Sequence, residues 1–135
     1  MAEVGTYLYI AQKDLRRAEL MHGERDYCAS GRFSEQAVEK AFKSFIEQKG
    51  KADDYKLMAL HKPWRLYDRC NALGFPELTE EEERTLHKLP DYYYDTNYPG
   101  NAYFELTQAQ SQEALDMART VVGLVEEGLG VESKD

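Results

Sequence analysis

This sequence predicts an all-α fold, an antiparallel up-and-down bundle of four to five helices. Three observations predict it. Apolar residues recur at steps of three and four along most of the chain, no segment alternates apolar and polar residues over a strand's length, and two capping signatures stand just ahead of apolar-periodic runs.

The first helix is read from Leu8, Ala11, Leu15, Ala18 and His22, which share one face, with Gly23 as its stop. Asp26 is placed to cap the second helix. That helix is clearest from Phe33 to Gln48, where Ala37, Val38, Ala41, Phe42, Phe45 and Ile46 form a wide apolar stripe. Glu35, Glu39, Lys40, Lys43 and Glu47 occupy its other faces. Gly31 marks either a late start or a close contact. "KGKADDYK" (49–56) is a polar connector.

Pro63 fits the first turn of a third helix, where its missing N–H costs little, and Gly74 ends that helix. Thr79 with Glu82 makes a capping box for a fourth helix over Glu80–Tyr94, inside which Pro90 predicts a break or kink. Tyr98-Pro99-Gly100 cannot continue a helix. Thr107 with Gln110 opens the fifth, which carries Ser111, Ala114, Leu115, Ala118, Val121, Val122 and Val125 on one face and stops at Gly128 and Gly130. The expected core runs from about residue 7 to 125, with a frayed tail at 129–135, all in one domain.

Composition narrows the function classes. The 135 residues carry a net charge of −8, with 42% hydrophobic and 31% charged residues, an ordinary globular balance. That sign opposes extended duplex nucleic acid, though not a local basic pocket for one nucleotide. The opening residues lack a basic start followed by an apolar run, and nothing approaches the ~20 apolar residues of a membrane span. The expectation is a cytoplasmic protein that is not a membrane protein, with Cys28 and Cys70 as reduced packing residues.

Four constellations could carry chemistry. "RRAELMH" (16–22) sets arginine ahead of histidine at a spacing some helical ribonucleases use, with Arg17 and His22 as the catalytic pair. On one straight helix those two lie roughly 140° apart, and His22 also continues the apolar face, so a core-edge histidine is the competing reading. His61 stands ahead of a helix start beside Lys62 and Arg65, a setting that gathers phosphate or satisfies a loop carbonyl. Glu39, Lys40 and Lys43 either face a ligand or form a solvated face. In "LPDYYYDTNYPG" (89–100), Tyr92, Tyr93, Tyr94 and Tyr98 crowd a turn, either to stack on a base or to fill a wet seam between helices or subunits. The acids of "TEEEER" (79–84) point in different directions from one helix, so no metal site and no cofactor is expected.

Taken in order, "DLRRAELM" (14–21), Tyr27, "EQAVEKAFKSFI" (35–46), His61, "YYDTNYP" (93–99) and "LDMA" (115–118) resemble the HEPN domain family, named for nucleotide binding in higher eukaryotes and prokaryotes. "QAVEKAFK" is the most telling element, because the family's second helix typically reads Q-A-x-E-K-x-x-K. The resemblance implies a helical bundle, commonly a homodimer. Many members accompany a small, separate nucleotidyltransferase, and others are metal-independent ribonucleases, often the toxins of toxin–antitoxin pairs. The family's tyrosine, two residues, small residue, arginine, tyrosine, proline falls on Tyr93, Thr96, Asn97, Tyr98 and Pro99. Asn97 stands where the arginine is expected and brings no charge to an anion.

The resulting expectation is a non-catalytic nucleotide-binding or partner-binding module acting beside a separate nucleotidyltransferase. Lys40, Lys43 and His61 would receive phosphate, and Tyr93, Asn97 and Tyr98 would position the base or the partner. The alternatives are a ribonuclease toxin using Arg17 and His22, and a purely structural dimeric interaction protein.

Overall fold

The longest helix is the one the others gather around. In the computed structural model, which describes residues 2–131, α2 spans Tyr27–Lys49 and packs against four other α-helices. These are α1 (Tyr7–Gly23), α3 (Pro63–Ala72), α4 (Glu80–Tyr94) and α5 (Gln108–Leu129). A 3-10 helix, Ala52–Ala59, bridges α2 and α3. The fold is an all-α bundle.

Local chemistry sets each boundary. Thr6 caps α1 by accepting from the Tyr9 N–H, and Asp26 caps α2 by accepting from Ala29. Both capping boxes form. Thr79 and Glu82 exchange bonds of 2.8 and 3.1 Å, and Thr107 and Gln110 exchange bonds of 2.9 and 3.1 Å. Gly130, at φ +68°, ends α5 in a left-handed turn.

Several expectations are corrected. The second helix starts at Tyr27, directly after its cap, and Gly31 marks a close approach. A Cβ there would collide with Leu106 Cδ1. Gly128 stops nothing. It lies inside α5, where a Cβ would meet the Phe45 ring at 3.1 Å. Pro90 does not break α4, which continues to Tyr94, because Leu89 and Tyr92 on either side are buried and hold both halves to the core. The connector at 49–56 is partly helical. The fraying expected from 129 is absent at residues 129–131, since Leu129 closes α5 and the Val131 N–H bonds the Glu126 carbonyl at 2.9 Å; residues 132–135 lie outside the described part.

The core joins the apolar stripe of α2 to Leu66, Phe75, Leu86, Leu89, Leu115, Val121 and Val125 from the surrounding elements. Phe42 stands at its centre, edge-on to Phe75 at 5.5 Å. Cys70 is enclosed there and Cys28 lies at its margin, both as free thiols. Among the described residues, no helix is long and apolar enough to cross a membrane.

Candidate functional site

The opposite face of α2 carries charge, and much of it is buried. Arg32, Glu35, Gln36, Glu39, Lys40 and Lys43 recur at steps of three and four, so they form one stripe along the helix. Glu35, Glu39 and Lys43 are enclosed, which corrects the solvated-face reading for Glu39 and Lys43, whereas Lys40 is partly exposed. Burying such groups is tolerated only when they are paired and hydrogen-bonded.

The pairing makes a continuous polar network. Arg17 donates to Asp14 Oδ1 at 2.9 Å, and Lys40 donates to Asp14 Oδ2 at 3.2 Å. Lys40 also donates to Gln36 Oε1, and Gln36 passes the chain to Glu35 Oε1, each at 2.6 Å. Farther along α2, Lys43 Nζ donates to Glu39 Oε1 at 2.9 Å. His61 Nδ1 reaches the same oxygen at 2.8 Å. Because the acceptor is a carboxylate, that contact places the proton on Nδ1 and leaves Nε2 toward solvent on a side chain that is 62% exposed.

Two donors on Oε1, the Lys43 ammonium and the His61 ring N–H, leave Glu39 Oε2 buried with no donor among the described residues. Glu35 supplies the remedy. Burial, then the neighbouring Glu39 charge, pushes its carboxyl pKa up to about 8, and the two carboxyls are within hydrogen-bonding reach. A carboxyl that keeps its proton can donate to a neighbouring carboxylate, so a protonated Glu35 eases the burial of the Glu39 charge. Burial alone would raise Glu39 too, but the bonds from Lys43 and His61 outweigh it and hold that carboxyl below its ordinary value.

The tyrosine turn closes over one side of this stripe. Tyr92 is buried against Phe104, so one of the four tyrosines is core. Tyr93 and Tyr94 pack edge to face at 5.1 Å, and Tyr94 and Tyr98 are 44% and 57% exposed. Burial, then the charges of Glu35 and Glu39, raises the Tyr94 phenol pKa, which ties this ring to the α2 stripe. Arg32 Nη1 donates to the Thr96 carbonyl and hydroxyl at 3.3 and 3.2 Å. Asn97 follows at the surface, its N–H on the Tyr94 carbonyl at 3.2 Å.

The position of His61 is set from below. Asp54 of the 3-10 helix accepts from Arg69 Nε and Nη2 at 2.9 and 3.0 Å, so the segment leading to His61 is clamped to α3. Pro63 then starts α3 two residues on.

At this site Lys43 and His61 meet on Glu39, and the chain that includes Lys40 runs to its neighbour Glu35. Lys43 is enclosed and its ammonium is committed to Glu39, so it reaches a bound phosphate only by leaving that pair. Tyr93 and Tyr98 flank Tyr94 at the turn. Arg17 and His22 are drawn apart: Arg17 bonds Asp14, whereas His22 Nδ1 lies 2.8 Å from Ser111 Oγ on α5. Among the described residues, no three His, Cys, Asp or Glu groups assemble as a metal site.

Sequence reading missed Asp14, Arg32 and Glu35 as site residues. Helical spacing from Lys43 back through Glu39, Gln36 and Arg32 was the available signal for Arg32.

Known proteins share both the sequence pattern and the bundle. The model of the HEPN domain matches residues 4–128. The chain belongs to the HEPN domain family. The HEPN bundle described here is similar in structure to TT1696 from Thermus thermophilus, known from a crystal structure, with a TM-score of 0.65 and 26% sequence identity over 90% of this chain and 94% of that one. A comparison with curated proteins found no match. The family is a nucleotide-binding or ribonuclease-type helical module, and the stripe beneath the tyrosine turn is where this member's polar chemistry gathers.

Proposed function

We propose that this HEPN domain is a non-catalytic binding module that takes a nucleotide, or a partner carrying one, and acts as a homodimer beside a separate nucleotidyltransferase in the cytoplasm. The observation that carries the reading is the convergence on Glu39. One buried carboxylate orients an exposed imidazole from below and lies close to the aromatic turn, so a polar donor and stacking surfaces border the same stripe. His61 and Lys40 supply polar and cationic contacts, Tyr93, Tyr94 and Tyr98 supply the aromatic ones, and Asn97 offers an amide. The separation of Arg17 from His22 speaks against the ribonuclease alternative.

The exposed rings of Tyr94, Tyr98 and Tyr103 also favour a protein contact, which is where the homodimer reading places its interface. Amide NMR during ATP titration tests both uses. Millimolar ATP is expected to shift resonances of His61, Tyr94 and Tyr98, and dilution is expected to shift those of Tyr98 and Tyr103. Spectra unchanged by ATP reject the nucleotide, and spectra unchanged by dilution over the full range, with a monomer's relaxation, reject the dimer.

A further inference from the structure

We infer that Arg32 is the phosphate-receiving group of the tyrosine turn, for a ligand bearing a phosphate or pyrophosphate, an inference that rests on the nucleotide reading above. The sequence directs attention to Lys40 and Lys43, but both ammonium groups are bound to buried acids, Asp14 and Glu39. Arg32 stands on the same face of α2, about 10 Å farther toward its start than Glu39, given 1.5 Å per helical residue. It makes no ion pair among the described residues, in a chain where acids outnumber bases 25 to 17.

Its geometry suits an anion. Only Nη1 is engaged, by two long bonds to Thr96, and Thr96 is itself buried with its hydroxyl on the Tyr92 carbonyl. The guanidinium is thereby oriented at one corner while its Nε–H and Nη2–H edge makes no hydrogen bond among the described residues. Those two parallel donors are the fork that matches two oxygens of a phosphate. Arg32 is half-buried, so an ion pair formed there is less weakened by solvent than one on an open surface.

The surroundings fit the rest of a nucleotide. Asn97 and Tyr98 follow Thr96 directly and are exposed. The positive charge of Arg32 reaches Tyr103, opposing the rise that the Glu105 bond and charge impose on that phenol. At the turn itself Asn97 brings no charge, and α2 delivers a guanidinium to the adjacent residue, Thr96. The phosphate end of the ligand then lies at Arg32, and the base lies over the tyrosines.

Arginine labelling with phenylglyoxal, mapped by peptide mass spectrometry, tests this on the unmodified chain. Millimolar pyrophosphate or ATP, against chloride of equal ionic strength, is expected to slow labelling of Arg32 about tenfold, as a bidentate charge-assisted contact requires. Arg84, exposed on α4, should react at an unchanged rate. In parallel, Arg32→Gln is expected to weaken pyrophosphate binding about tenfold in calorimetry. If Arg32 labels equally fast with and without ligand while ATP still shifts the NMR spectrum, Arg32 is overturned and the nucleotide reading survives. If ATP neither protects nor shifts anything, both fall. Should Arg32→Gln fail to fold, the labelling result decides alone.

Discussion

The two faces of α2 are buried to a similar depth by opposite means. One is apolar, Ala37, Val38, Ala41, Phe42, Phe45 and Ile46, and needs only close packing. The other holds Glu35, Glu39 and Lys43, which tolerate burial because Gln36 bonds Glu35, Lys43 and His61 bond Glu39 Oε1, and Glu35 keeps its proton. The apolar face tolerates any shape that fills the space, whereas the polar face tolerates only a complete set of partners. Specificity for a ligand is more naturally built on the second.

Truncating the centre of the apolar face should have the largest effect. Phe42→Ala is expected to cost about 3–5 kcal/mol, the usual penalty for a buried phenyl ring that leaves a cavity, measured by guanidinium unfolding. A loss under about 1 kcal/mol would mean that this face is loosely packed, contrary to the comparison.

Lys43→Met should come next. It leaves the buried Glu39 charge with the His61 ring N–H as its one donor and is expected to cost about 3 kcal/mol. The double change Lys43→Met with Glu39→Gln should recover much of that loss, because no unpaired charge then remains inside. A neutral single variant would return the stripe to a solvated face.

The smallest effect is a pH dependence. Folded Glu35 holds its proton to about pH 8, while its ordinary value is 4.5. The folded state therefore binds more protons between those values, and stability falls as pH rises through that window, by at most about 1.4 kcal/mol per pH unit. Glu35→Gln removes this slope. The variant should gain on the parent steadily as pH rises from about 5 to about 8, read from thermal melts at each pH. Parallel curves for the two chains would show that Glu35 ionises normally.

What the sequence disclosed follows the same division. Apolar burial leaves a periodic trace, so all five helices, both capping boxes and the Asp26 cap were legible. Charged burial leaves none, because it depends on partners far along the chain. His61 meets Glu39 across 22 positions, and Lys40 meets Asp14 across 26. The sequence offers Lys43 and His61 for one ligand, but it leaves open whether Glu39 faces that ligand or solvent, and its role as the carboxylate joining them appears only in the fold. Arg32 went unnoticed because its partner, Thr96, is 64 residues away.

Glu39 Oε1, shared by a core ammonium and a surface imidazole, has a consequence for communication. A ligand that draws His61 aside leaves Lys43 as the sole donor to that oxygen, so occupancy at the rim is felt in the interior. Such coupling acts in both directions, so a substitution at Lys43 is expected to change the affinity of a ligand held by His61. An occupant too weak to crystallise would still leave its mark on a melting curve.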